Sequence, residues 1–135
     1  MENLTTETFK EKVFDYAQEK EWSFKGDKPA VIDFYADWCG PCKTIAPILE
    51  ELDAEMDNVD FYKVNTEEQT ELAMTFGIQS IPSILFVPVD GMPQMALGAL
   101  PKETFKQAIA QVLFGETPEE TTDTPESEKT EETSE

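Results

Sequence analysis

Cys39 and Cys42 are the only cysteines in the 135-residue chain, three positions apart within Trp38-Cys39-Gly40-Pro41-Cys42-Lys43. A pair at that spacing, placed where a strand hands over to a helix, is the working end of a dithiol/disulfide oxidoreductase. A cysteine at the first turn of a helix faces unpaired backbone N–H groups and the positive end of the helix dipole, and both favour its thiolate. Cys39 takes that position and is expected to be the more exposed sulfur. Cys42, one helical turn on, is turned inward but reaches Cys39 to close a small ring. The chemistry that follows is attack of the Cys39 thiolate on a substrate disulfide to form a mixed disulfide. Cys42 then attacks Cys39 and releases the reduced substrate. The bland alternative is a structural disulfide, but so short a loop restrains the unfolded chain little.

The rest of the composition closes other routes. The chain has no His, and all its basic residues are Lys, for a net charge of −19. Without His, and with a single thiolate pair, a tetrahedral zinc site cannot be completed, so no metal and no cofactor beyond a reversible Cys39–Cys42 disulfide is expected. A surface this acidic repels phosphate backbones, which argues against nucleic acid as a partner. No apolar run approaches the length needed to span a bilayer. The start lacks a basic and apolar leader, so the chain as written is expected to be cytoplasmic; a periplasmic mature form stripped of its signal would read the same.

The elements that must position the pair follow from periodicity. Ala30–Ala36 is a nearly continuous apolar run of strand length, as expected for a strand covered on both faces. Asp33 interrupts it, and is therefore either buried or evidence against the strand. A buried carboxylate is pushed toward neutral pKa, which suits it to taking the proton that Cys42 must lose. Lys63, among the apolar residues of the next strand, is its candidate charge neighbour. From Pro41 the period turns helical, with Ile45, Leu49, Leu52 and Met56 in one stripe. Val59–Val64 reads as a strand, and Thr66-x-x-Gln69 as a capping box for a helix that Gly77 stops. Pro82 precedes the strand Ser83–Val87, a place that often marks a cis peptide. Asp90-Gly91 turns the chain into a last strand over 94–98, and Pro101 opens a final helix that carries Phe105, Ala108, Ile109, Val112 and Leu113 inward.

Before these, residues 1–27 carry a helical signature, with Phe9, Val13, Tyr16 and Ala17 on one face and Thr5, Thr6 or Thr8 as caps. Parallel crossovers followed by a tight hairpin make an α/β fold, a central mixed sheet with helices on both faces. After residue 115 the composition changes. Residues 116–135 hold nine acidic residues against one lysine and no aliphatic or aromatic side chain, and are expected to be a disordered acidic tail appended to a 1–115 domain.

Several stretches together resemble the thioredoxin family: Val31 through Lys43 with Ile45-Ala46-Pro47 after it, Phe61-Tyr62-Lys63-Val64-Asn65, Phe76 through Ser83, and Leu97-Gly98-Ala99-Leu100. The likeness runs from about residue 28 to 114. It implies a thioredoxin fold, with Cys39 as nucleophile, Cys42 as resolving thiol, Asp33 as proton acceptor and Lys63 beside it. Gly40 and Pro41 would tune the redox potential, and a cis Pro82 would stack against the disulfide. Trp38, Ile81 and Gly98 would form an apolar surface for docking substrate. The activity implied is a general protein-disulfide reductase, acting as a monomer on disulfide-containing proteins and re-reduced by a separate thioredoxin reductase-type donor. An oxidant or isomerase is the alternative, and a redox-inactive docking subunit a further one. Tyr35 stands where the family usually has Trp, and the first 27 residues and the acidic tail depart from a minimal thioredoxin.

Overall fold

The computed structural model describes residues 1–115; the expected acidic tail lies outside them. Strand β1 (Glu2–Asn3) leads into helix α1 (Thr6–Lys12), then β2 (Ala30–Tyr35), α2 (Gly40–Glu55), β3 (Asp60–Asn65), α3 (Thr70–Thr75), β4 (Ser83–Val87), β5 (Gln94–Leu97) and α4 (Lys102–Ala108). A π-helical turn, Ile109–Leu113, continues α4. The strands form one mixed sheet in the order β1-β3-β2-β4-β5. β1, β3 and β2 run parallel, and β4 and β5 run antiparallel to their neighbours, as the crossovers and the tight hairpin demand.

Strand alternation sorts the core into two layers. Ile32, Phe34, Val64, Leu85 and Val87 point to the side covered by Phe9 of α1 and Leu72 of α3. Val31, Phe61, Ile84 and Phe86 point to the side covered by Ile45, Leu49 and Leu52 of α2, by Phe105 of α4 and by Ile109 of the π-helical turn. Both faces of β2 are therefore buried, which is why its sequence reads as a continuous apolar run.

Two local readings change. The helical pattern at the start yields a helix only from Thr6 to Lys12, opened by reciprocal bonds in which the Thr8 N–H donates to Thr5 Oγ1 and the Thr5 N–H to Thr8 Oγ1. Beyond Val13 the chain turns back. The Phe14 N–H bonds to the Phe9 carbonyl, and the Lys25 N–H to the Val13 carbonyl. Phe14 and Trp22 pack with ring centroids 4.7 Å apart. Burying these aromatics against the sheet outweighs extending the helix, so Tyr16 reaches the Phe9 cluster from a turn. The capping box at Thr66-x-x-Gln69 also fails, because α3 starts at Thr70 and Gln69 makes no side-chain cap. Thr66 Oγ1 instead donates to the Tyr35 carbonyl, and Gln69 Oε1 accepts from the Thr6 N–H at 2.9 Å. Both residues are used for long-range ties that local spacing does not reveal. The bend between β3 and α3 is closed by Asn65, whose Oδ1 accepts from the Glu67 and Glu68 N–H groups.

Candidate active site

β2 ends at Tyr35, and the chain crosses Ala36, Asp37 and Trp38 before α2 begins at Gly40. Cys39 is the N-cap of α2, in extended conformation, with Gly40 and Pro41 as the first two helical residues. Pro41 is tolerated there because its missing N–H would have no helical partner at that position. The Cys42 N–H donates to Cys39 Sγ over 3.2 Å, the bond that a serine or aspartate oxygen makes at other helix starts. The two sulfurs are joined as a disulfide, with the Cα atoms 5.3 Å apart.

In this oxidised state both cysteines are 3% exposed, so Cys39 is not the more open of the two. Ala36, Tyr35 and Ile81 pack around the pair. Ile81 reaches it from the segment before β4, where the Ile81–Pro82 peptide is cis, as expected. The Pro82 carbonyl accepts from the Gly98 N–H at 2.8 Å, which brings the end of β5 to the same rim. Gly98 has φ of 93°, a conformation that glycine adopts without strain. Trp38, immediately before the pair, is 68% exposed. Trp38, Ile81 and Gly98, three residues distant in sequence, thus sit on elements that converge on the disulfide.

Beneath the pair lies a strip of polar residues on the α2 side of the sheet. Asp33 pairs with Lys63 and Tyr35 with Asn65 across β2 and β3. Asp33 is 4% exposed, and its Oδ1 has no hydrogen-bond partner among the described residues. Burial pushes its pKa from 3.8 up to about 7, with the Lys63 ammonium pulling the other way. Asp33, Lys63 and Cys42 line a single cleft of about 150 Å³. The Asp33 carboxyl and Cys42 thus open onto the same small volume. Among the described residues no group of three or more Cys, Asp or Glu side chains could hold a metal ion.

The thioredoxin family model matches residues 1–111. The chain belongs to the thioredoxin family. It is 52% identical to a thioredoxin of Borreliella burgdorferi over 114 residues, which cover 84% of this chain and 97% of that one. It is 34% identical to thioredoxin 1 of a Nostoc species over 82% of this chain and 94% of the relative. Among solved structures, a chloroplastic thioredoxin z superposes with a TM-score of 0.70 at 28% identity, covering 83% of this chain and 93% of the other. As a thioredoxin with a disulfide-forming Cys39–Cys42 pair, the chain is a thiol–disulfide oxidoreductase. Thioredoxins carry their electrons on the cysteines themselves and need no bound cofactor. The family implies disulfide-bearing proteins as substrates and a reductase as electron donor.

Asp33, Lys63 and Pro82 could be found from sequence because each breaks or precedes an apolar run. The Asn65 turn and the link from Tyr35 to β1 could not. Nothing in the order of residues signals that Asn3 reaches the end of β2.

Proposed function

We propose that this protein is a general protein-disulfide reductase. The observation that carries the reading is the oxidised Cys39–Cys42 pair at a capped helix start, above a buried Asp33 whose Oδ1 has no hydrogen-bond partner among the described residues. In the reduced protein the Cys39 thiolate attacks one sulfur of a substrate disulfide. The Cys39–substrate bond forms, the substrate S–S bond breaks, and the first substrate thiolate leaves. Asp33, ionised, takes the proton of the Cys42 thiol through the cleft they share. The Cys42 thiolate then attacks Cys39 Sγ, the intramolecular disulfide closes, and the second substrate thiolate departs with the electron pair. The substrate gains two electrons, which a separate thioredoxin reductase-type donor restores to the cysteines.

In this reading Lys63 moderates the Asp33 carboxyl, and Gly40 and Pro41 set the potential of the pair through the helix start. The peptide around the substrate disulfide lies on Trp38, Ile81 and Gly98, against Pro82. A monomer suffices, since every group named lies on one chain. A reductase works in a reducing compartment, which favours the cytoplasm. Equilibration with glutathione buffers of graded ratio tests the direction. A reductase pair stays oxidised until the buffer is strongly reducing; a pair already reduced in mildly oxidising glutathione is an oxidant or isomerase, and the proposal falls.

A further inference from the structure

The polar strip beneath the disulfide contains one aromatic ring that the dithiol chemistry does not itself use. Tyr35 lies on β2 two residues beyond Asp33, and so on the same face of the sheet. On β3, Lys63 pairs with Asp33 and Asn65 with Tyr35; on β1, Asn3 pairs with Lys63. The Tyr35 side chain starts on β2 and ends at β1, where its hydroxyl donates to Asn3 Oδ1 over 3.1 Å. Between those two ends stands Lys63, with Nζ 5.7 Å from the ring centroid. Tyr35, Lys63, Asp33 and Cys42 all line the same cleft.

We propose that Tyr35, rooted in β2 and pinned at its hydroxyl by Asn3, is a positioning residue: it holds the Lys63 ammonium at the Asp33 cleft and so governs how readily Asp33 accepts the proton of Cys42. The inference deepens the proton-acceptor reading of Asp33 and rests on it. A lysine ammonium rides on a flexible four-carbon stem, and water solvates it strongly. Left free, it swings toward bulk solvent, where the high dielectric reduces its effect on a buried carboxylate. The negative face of an aromatic ring holds it in place. That ring is tethered at both ends, by the backbone of β2 and by the bond to Asn3, so it stays beside Lys63.

The pin keeps its proton throughout the working range. Burial, together with the carboxylates of Asp37, Glu68 and Asp33, holds the Tyr35 phenol above its ordinary pKa, against an opposing hydrogen bond from Asn65. Other charges face the strip without closing on Asp33. Asp37 lines the cleft from the loop before α2 and Lys43 from the start of α2, and Glu68 lies near Tyr35 from the turn after β3. On β4 the register partner of Asp33 is Ile84, which brings no charge. Lys63 is therefore the cation that lowers the Asp33 pKa, and Tyr35 is what contacts its ammonium.

The test follows Asp33 itself in the full-length oxidised protein, as the carboxyl C=O band in infrared titrations, identified by its loss in Asp33→Asn. Without the ring, Lys63 leaves, and Asp33 stays protonated to higher pH. Tyr35→Leu is expected to raise the midpoint of the band. Asn3→Ala and Tyr35→Phe, which keep the ring and lose the pin, raise it by less. Turnover near pH 6 falls about two- to five-fold in Tyr35→Leu, the size expected of one cation–π contact, and recovers near pH 9. In a Lys63→Gln background the Tyr35→Leu change adds no further shift. An unmoved midpoint in Tyr35→Leu, or a shift that persists without Lys63, overturns the positioning role alone. If Asp33→Asn leaves the pH dependence of turnover as in the wild type, the acceptor reading falls and takes this inference with it.

Discussion

The Cys42 backbone N–H donates to Cys39 Sγ at 3.2 Å, so one cysteine of the pair caps the helix in which the other lies. Pro41, at the second helical position, has no N–H to offer, which leaves the donor from Cys42 as the cap. When the disulfide opens, that bond becomes charge-assisted, and it strengthens as negative charge collects on Cys39. The sulfur that must become the attacking thiolate is thus held by the backbone of the residue that will later displace it.

That division of labour predicts asymmetric trapping. Cys42→Ser keeps the backbone donor and removes only the resolving thiol, so covalent adducts between Cys39 and protein substrates accumulate. Cys39→Ser leaves only the Cys42 thiol, within the first helical turn rather than at its cap, and traps little. Intact-mass analysis after mixing each variant with an oxidised protein decides the matter. Equal trapping by the two variants contradicts the assignment of nucleophile and resolver.

Asp33 links chemistry to stability with a definite sign. Its pKa rises from 3.8 to about 7 on folding because burial disfavours the carboxylate. Between those values the folded state holds a proton that the unfolded state has lost. The contribution of Asp33 to stability is therefore most favourable below about pH 4, declines as pH rises through about 7, and then levels off. Asp33→Asn cannot ionise and escapes the decline. At pH 8 the oxidised variant is expected to be more stable than the wild type by about 2–4 kcal/mol, with the gap closing near pH 4. Urea unfolding at several pH values measures it. A gap that does not change with pH means that Asp33 ionises as easily in the fold as outside it.

Trp38 offers a contrast, because its ring is 68% exposed and contributes little to the core. Trp38→Ala is expected to change unfolding free energy by less than about 0.5 kcal/mol, as is usual for exposed positions. Docking of a protein substrate should nevertheless suffer, with kcat/KM down several-fold. Reduction of a small soluble disulfide, which needs no docking surface, should change far less. A parallel loss on both substrates would assign Trp38 to the chemistry rather than to docking.

The reach of the sequence depended on the range of the interactions. Asp33 was legible because a carboxylate inside an apolar run has few explanations, and the buried strand bears that out. The change of period at Pro41 located the start of α2, and Gly77, with φ of 63°, ends the α3 region as its position suggested. Where a polar side chain chose between a local cap and a distant partner, sequence spacing favoured the cap. Thr66 and Gln69 chose the distant partners, Tyr35 and Thr6. The same limit hid the Asn3–Tyr35 bond, which spans 32 residues. The greater exposure expected of Cys39 fails for another reason, since it describes a free thiol at a helix start. In the oxidised pair, Ala36, Tyr35 and Ile81 pack around both residues.

Phe9 tests whether the N-terminal segment is part of the fold or an addition to it. Its side chain is fully buried, and its ring meets Phe76 edge-on with centroids 5.2 Å apart. Phe76 in turn packs on Phe34 of β2 at 5.8 Å, the strand that carries Asp33 to the site. Removing the Phe9 ring leaves a cavity between α1, the end of α3 and the sheet. Phe9→Ala is expected to cost about 3–5 kcal/mol, the range for a phenylalanine lost from a close-packed core. One cooperative transition, shifted to lower denaturant with an unchanged slope, would show that residues 1–27 unfold with the rest. A loss under about 1 kcal/mol would instead make the segment a dispensable cover.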